Sequence, residues 1–534
     1  MTDTNSVQFD AFIGIPYAKP PVGKLRFKSP IPVDPWTGEY NATSRKPSCM
    51  QSSTVPLRDP IIGNEDCLYL NVYRPKENVT QSLPVMVFIH GGGYFSGSAD
   101  PQLYGPERIL ATKLVILVTI QYRLGVFGFL STGDAAAPGN AGMRDQVLAL
   151  RWVQRNIATF GGDPQAVTLF GESAGGASVQ LHMMSPLSRG LFQRAILMSG
   201  SALAVWSLPV DDPLALARRH AKLIGVSETD ELTTAELVDV LQNIDANVLV
   251  ASEQALGTWF DHPIVIYRPT IESAAVPVED RFLTDDPGKQ WTEGRFMNIP
   301  ILLGTVPNEG AVVSLPILHN QTIMDQFNEN LVELLPVVLA LNASSADLGR
   351  LKERYFPNAP SDRWVSEESA DNFTEMVSDA LIKYPTLKTL QEYLSHPAET
   401  CRETTLYSFE FVGRHSFSSI YVPSDDKYGV CHQDELLYLF RMPDLFPDFP
   451  SESPETEIAT VWTSSLFLVN FAVQGATPPN CGEQVETVKF ENAPPGNATE
   501  SKVSISRESG LSHKLQEMVQ FWTTIYRSSY VAYH

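Results

Sequence analysis

Ala166-Val-Thr-Leu-Phe-Gly-Glu-Ser-Ala-Gly-Gly176 reads as a strand that runs into a helix through a turn crowded with glycine. The strand is the β-branched and aromatic run Ala166 to Phe170, and Gly175 to Met184 is compatible with a helix. Between them, Gly171-Glu172-Ser173-Ala174-Gly175 fits the pattern G-x-S-x-G. A sharp strand-to-helix turn crowds the backbone, so glycine is needed on both sides of the serine. The hydroxyl is then exposed at the strand's end, beside a helix N-terminus. The blander reading is a glycine-rich strand-to-helix turn with no chemistry, and the flanking sequence has to decide between the two.

Val85-Met-Val-Phe-Ile89, Leu114-Val-Ile-Leu-Val-Thr-Ile120, Ala195-Ile-Leu-Met198, Ile299-Pro-Ile-Leu-Leu303 and Thr405-Leu-Tyr-Ser-Phe-Glu-Phe411 are further short apolar runs. Continuous apolar strands separated by helices indicate a parallel sheet covered on both faces. Asp145 to Phe160 is the clearest helix, because Val147, Leu150, Val153, Ile157 and Ala158 form one stripe and Gly161-Gly-Asp-Pro164 ends it. The fold class is α/β, with about Leu208 to Ile266 and Asn320 to Tyr384 reading as mainly helical insertions. No repeat or linker is visible, so the simplest parse of residues 1–534 is one large domain.

His90-Gly91-Gly92-Gly93 follows the strand Pro84 to Ile89. Such a loop brings backbone N–H groups close to an oxygen with no Cβ in the way. It lacks the continuation of either phosphate-binding glycine motif, which favours an oxyanion over a phosphate. A serine hydroxyl needs a base and an orienting carboxylate. Ten histidines are available. His432 lies in a loop, Gly429-Val-Cys-His432, and His415, after a strand, competes with it. Glu309, in Gly304-Thr-Val-Pro-Asn-Glu-Gly310 at the end of a strand, is the candidate carboxylate. The order serine, acid, histidine is the one expected of an α/β-hydrolase, but spacing alone leaves both assignments open.

Composition narrows the partners. The 534 residues carry 39 Lys plus Arg against 61 Asp plus Glu, a formal charge of −22, so the surface repels nucleic acid and anionic membranes. No apolar run approaches the roughly 20 residues that span a bilayer. Met1 to Asp10 lacks the basic start and apolar centre of an export signal. Cys49, Cys67, Cys401, Cys431 and Cys481 are too few for a disulfide scaffold. Sequons at Asn41, Asn78, Asn320, Asn342, Asn372 and Asn497 hint at secretion. The oligomeric state is not legible.

Taken together, Phe12-Ile-Gly-Ile-Pro-Tyr-Ala-Lys-Pro-Pro-Val-Gly23, Arg26-Phe27, Glu65-Asp-Cys-Leu-Tyr-Leu-Asn71, Gly91-Gly-Gly-Tyr94, Tyr122-Arg123, Gly139-Asn140, Asp145-Gln146, Phe160-Gly-Gly-Asp-Pro164 and Phe170-Gly-Glu-Ser-Ala-Gly-Gly176 resemble the type-B carboxylesterase and cholinesterase family. The likeness runs from Phe12 to the last helix near Trp522. It implies an α/β-hydrolase fold with helical insertions forming a gorge. It also implies Ser173 as nucleophile, Glu309 as triad acid, His432 as base, and the N–H groups of Gly92, Gly93 and Ala174 as oxyanion hole. The loop Gly429 to His432 with Asp434-Glu435 resembles the family's histidine loop, which decides against His415. The resemblance further implies a disulfide between Cys49 and Cys67, and ion pairs Arg26–Glu65 and Arg123–Asp145 as scaffold. An acyl-pocket tryptophan falls on Trp206, with Trp259 and Phe260 as weaker candidates.

Departures from the family pattern shape the expected substrate. The segment between Cys49 and Cys67 contains no Trp, whereas cholinesterases carry there the aromatic that holds a quaternary ammonium by cation–π attraction. A small neutral, mainly apolar ester is therefore expected, with no metal and no cofactor. Juvenile hormone esterases, relatives in the family, usually have Gln where Glu172 stands, yet a juvenile hormone ester stays the alternative. The rival from another class is a catalytically inactive adhesion protein of the same fold. Only a short stretch precedes Gly14-Ile-Pro-Tyr17, so a truncated start is expected. The implied disulfide favours a secreted protein, with a cytoplasmic one as the alternative.

Overall fold

The strand Gly162–Glu172 lies in the middle of a ten-stranded sheet. The computed structural model describes residues 8–530 other than 53–60, 77–80, 210–211, 362, 397–403, 425, 427, 464–467, 474–484, 493–500 and 509. Cys401, Cys481 and the sequons Asn78 and Asn497 lie outside the described residues.

In chain order the strands of the large sheet are β1 (Phe9–Pro16), β2 (Tyr69–Pro75), β3 (Leu83–Ile89), β4 (Ile116–Ile120), β5 (Gly162–Glu172), β6 (Arg194–Met198), β7 (Ile301–Thr305), β8 (Thr404–Phe409), β9 (Val485–Asn492) and β10 (Ser501–Glu508). Their spatial order is β1-β2-β4-β3-β5-β6-β7-β8-β9-β10. From β4 to β9 every neighbour pairs parallel, and antiparallel pairs occur only toward the edges. This is the α/β-hydrolase sheet that the sequence leads one to expect.

The apolar character of β3, and of β5 along Ala166 to Phe170, has a simple cause. Val85, Val87 and Ile89 face one core together with Val167 and Leu169, while Met86, Phe88 and Phe170 face the other with Ile196 and Met198. Alternate side chains point to opposite faces, so a strand buried on both faces must be apolar throughout.

Helix α1 (Ala141–Asn156) starts earlier than its apolar stripe, because Gly139-Asn140 turns the chain through left-handed backbone at Asn140, φ 55°. A short 3₁₀ turn, Ile157–Phe160, carries it on to Gly161. Helix α2 (Ala174–Met184) follows β5 directly. The two insertions are helical, with Pro213–Leu223, Thr234–Gln242 and Ala246–Glu253 in the first, and Gln321–Glu329, Leu331–Leu339, Ser345–Tyr355 and Ala370–Ser378 in the second.

The expected scaffold pairs are present. Cys49 and Cys67 form a disulfide with Cα atoms 4.9 Å apart. Arg26 meets Glu65 through two N–H···O bonds at 2.7 and 2.5 Å. Arg123 forks onto the buried Asp145 at 2.8 and 2.7 Å. Bidentate geometry of this kind fixes direction as well as distance. No described helix is long and apolar enough to cross a membrane.

Candidate active site

In the parallel run β3-β5-β6-β7-β8 the carboxyl ends share one side of the sheet, and segments following β3, β5, β7 and β8 carry the candidate residues. Crevices outside the carboxyl ends of parallel strands are where α/β sheets bind ligands.

Ser173 sits between β5 and α2 with φ 57° and ψ −123°. L-residues with side chains seldom occupy this region. Two bonds clamp it there, from the Ser173 N–H to Met198 O at 2.8 Å and from the Ala177 N–H to Ser173 O at 2.9 Å. The close approach explains the glycine after it, since a Cβ on Gly175 would lie 2.1 Å from Ile89 O. Ser173 is 9% exposed, at the open end of an otherwise buried turn.

The loop after β3 lies against this serine. A Cβ on Gly91 would come within 3.0 Å of Ser173 Cβ. Gly92 turns through φ 98°, and its carbonyl accepts from the N–H groups of Phe95 and Ser96 at 3.0 and 2.9 Å. The loop is anchored by Tyr122 Oη donating to His90 O at 2.9 Å, by the Gly125 N–H donating to Tyr94 O at 2.7 Å, and by Tyr94 Oη on Ser207 Oγ at 2.7 Å. Among the described residues, no hydrogen bond engages the N–H of Gly92, Gly93 or Ala174. Ala174 opens α2, where first-turn N–H groups have no helical partner.

Glu309 follows β7 just before the helix Ala311–Leu318 and is fully buried. Its Oε1 accepts from the Val306 N–H at 2.9 Å, and its Oε2 lies 2.6 Å from His432 Nδ1. That contact makes Nδ1 the protonated nitrogen and leaves Nε2 for other work. The His432 loop is braced by Asp434, whose carboxylate accepts from the N–H groups of Cys431 and Phe417 at 2.8 and 2.7 Å. Tyr421 Oη donates to His432 O at 2.5 Å. His415 is elsewhere, its ring between Phe446 and Phe449 at 5.7 and 6.1 Å.

The second ring nitrogen, Nε2, faces Glu172 Oε1 at 3.1 Å, and no hydrogen bond joins it to Ser173 Oγ. Glu172 is buried, and burial pushes its carboxyl well above the ordinary value, with His432 and a hydrogen bond from Gln433 opposing. For His432 burial acts downward, but Glu172 and the bonded Glu309 outweigh it and raise the imidazole above its usual range. Glu435 is buried beside both carboxylates, and burial and then their repulsion push its carboxyl well above the ordinary carboxylate range. Its Oε1 accepts from Ser199 Oγ at 3.2 Å and Tyr407 Oη at 3.3 Å. Chemically the cluster offers a hydroxyl at a strained turn, an imidazole held between two carboxylates, and unpaired N–H donors.

Trp206 is buried with its Nε1–H on Leu381 O at 2.8 Å and its ring 6.2 Å from that of Tyr94, one residue beyond the glycine loop. Trp259 packs on Phe327 at 5.8 Å, and Phe260 is 40% exposed. Tyr94 as an anchor and Gln433 as a partner of Glu172 emerge only from the structure. Tyr94 was signalled by its place in Gly91-Gly-Gly-Tyr94, whereas nothing in the sequence tells where the Gln433 side chain goes.

Comparison with known proteins adds the family. The carboxylesterase family's model matches residues 1–522. Juvenile hormone esterase of Tribolium castaneum is 38% identical over 506 residues, 91% of this chain and 83% of its own length. Esterase FE4 of Myzus persicae is 37% identical over 478 residues, 86% of this chain and 81% of its own. The crystal structure of juvenile hormone esterase from Manduca sexta, with OTFP covalently attached, matches with a TM-score of 0.81 at 28% identity, covering 97% of this chain and 95% of that one. With the parallel sheet, the serine turn and the glycine loop already in place, these matches identify the chain as a member of the carboxylesterase family, enzymes that hydrolyse carboxylic esters.

Proposed function

We propose that residues 1–534 act as one catalytic unit that cleaves neutral, mainly apolar esters through an acyl-serine intermediate. The observation that carries this is the 2.6 Å contact of Glu309 with His432 at the sheet end where Ser173 is presented. In the proposed reaction His432 Nε2 takes the Ser173 hydroxyl proton as Oγ attacks the ester carbonyl carbon. The N–H groups of Gly92, Gly93 and Ala174 receive the charge that develops on the carbonyl oxygen. Collapse expels the alkoxide, which leaves as alcohol with the proton from His432. A water molecule then repeats the sequence on the acyl-serine and releases the acid. Glu309 orients the ring and stabilises the imidazolium. The chain itself supplies every group in this scheme, so neither metal nor cofactor enters it.

Trp206, beside Tyr94, is the proposed wall of the acyl pocket. The disulfide fits an oxidising compartment, and Asn41, Asn320, Asn342 and Asn372 are exposed, so we favour secretion with glycosylation over a cytoplasmic location. A juvenile hormone ester is the second substrate reading, favoured by the names of two of the relatives. The inactive-adhesion reading is disfavoured because Ser173, Glu309 and His432 are all retained.

The test is a panel of nitrophenyl esters of increasing acyl length, run beside a juvenile-hormone-type ester, with wild type and Ser173→Ala. An organophosphate should add one phosphoryl group to wild type and none to the variant, as read by intact mass. Near-normal ester hydrolysis by Ser173→Ala would remove the serine from the mechanism.

A further inference from the structure

Gln433 follows the candidate base directly and holds left-handed backbone, φ 76°, a conformation that glycine adopts at no steric cost and glutamine seldom does. Its side chain is half-buried and reaches across to Glu172, where Nε2 donates to Oε2 at 3.2 Å. Among the described residues this is the one hydrogen bond to the Glu172 side chain, since Oε1, though 3.1 Å from His432 Nε2, has no hydrogen-bond partner. On its other side the same Oε2 lies 2.7 Å from where a Cβ on Gly91 would be. The carboxylate is therefore held between the glycine loop and the Gln433 amide, with its remaining oxygen directed at the imidazole.

We propose that Gln433 is a positioning residue of the reaction, whose amide fixes the Glu172 carboxylate against the free nitrogen of His432 and so sets the pH range in which His432 serves as base. The inference rests on reading His432 as the base and deepens it. The amide favours the ionised carboxylate, and an anion beside Nε2 favours the protonated ring. The groups that face Glu172 are His432 and Gln433 from the histidine loop, Glu309 after β7, Glu435 in the 3₁₀ turn Asp434–Tyr438, and the phenols of Tyr104, Tyr122, Tyr407 and Tyr421. Burial holds the four phenols above their ordinary range, so near neutral pH the charge at this point is decided by the carboxyls and the ring. Without the amide, Glu172 protonates more readily, the imidazolium loses support, and His432 stays neutral to lower pH.

The experiment is the pH profile of kcat/KM on a neutral nitrophenyl ester, which reports the free enzyme's base. Gln433→Gly suits the left-handed backbone, and Gln433→Met keeps the bulk without the donor. Each should move the acid limb to lower pH by about half a unit or more, with KM little changed. Glu172→Gln should move it at least as far in the same direction, and adding Gln433→Gly to Glu172→Gln should move it no further. A uniform loss of kcat with an unmoved midpoint in both Gln433 variants, while Glu172→Gln shifts the limb, would overturn the role of Gln433 and spare His432 as base. A limb unmoved even by Glu172→Gln would overturn both.

Discussion

Asn308 and Cys431 pair as an isolated parallel bridge, with the Asn308 N–H donating to Val430 O at 2.9 Å. The next residue of each segment is Glu309 and His432. The contact between carboxylate and ring is thus set by main-chain pairing between two loops and does not depend on the side chains finding each other. This makes Glu309→Gln a clean substitution, in which the shape stays and the charge goes. We expect kcat to fall by about 10³–10⁴-fold with KM changed far less, because an amide cannot stabilise the imidazolium. Steady-state kinetics on one nitrophenyl ester decide it, and an unaffected kcat would mean that another group is the acid.

The glycine loop yields a second prediction. A Cβ at Gly92 would meet Ser96 O at 2.2 Å, and the backbone there is left-handed. Gly92→Ala should therefore reshape the turn and misdirect the N–H donors, lowering kcat by roughly 10²–10³-fold as loss of an oxyanion donor does. The fold should survive, as read by thermal unfolding, because the strain is confined to one turn. Wild-type turnover would exclude this loop as the oxyanion site.

The Cys49–Cys67 disulfide, at a sequence separation of 18, closes a loop whose constraint on the unfolded chain is worth about 3 kcal/mol in the chain-entropy model. Replacing both cysteines by serine should lower Tm and leave the pH dependence of kcat/KM where it was. Addition of reductant to the wild type should reproduce the Tm shift, and equal Tm values in both comparisons would show that the bridge contributes nothing.

Substrate preference can be tested with one pair of compounds. The residues between Cys49 and Cys67 include no tryptophan to hold a quaternary ammonium, an interaction worth about 2 kcal/mol when desolvated. The expected result is a kcat/KM for butyrylthiocholine below that for an uncharged ester of the same acyl group. A clear preference for the choline ester would show that the cation is held elsewhere in the gorge, whatever the net charge of −22 contributes by attraction at a distance.

The sequence disclosed the middle of this fold better than its edges, for a physical reason. Strands buried on both faces, such as β3 to β6, must be apolar and so announce themselves. Val485-Glu-Thr-Val-Lys-Phe-Glu-Asn492 and Ser501-Lys-Val-Ser-Ile-Ser-Arg-Glu508 are mixed in polarity because they close one edge of the sheet, and they passed unnoticed. The candidate site divides in the same way. Glycine spacing marks the serine turn and the glycine loop, since backbone crowding dictates residue type there. His432 and His415 could not be separated on spacing, because what separates them is a bridge between loops distant in sequence. Gln433 is the extreme case, since no neighbouring residue type encodes its left-handed backbone or its reach to Glu172.

The backbone of Ser173, at φ 57° and ψ −123°, carries a consequence for the history of such a chain. Holding a residue with a Cβ in so sparsely populated a region costs of order 1–3 kcal/mol, which the surrounding packing must offset. Glycine would relieve that cost, so the substitution that abolishes the hydroxyl is also one that the scaffold favours. Stability and chemistry pull in opposite directions at this position. With Ser173 in the proposed role, a lineage released from selection for ester hydrolysis would lose the hydroxyl and gain in thermal tolerance, so continued demand for turnover would be what keeps a serine in a place that suits glycine.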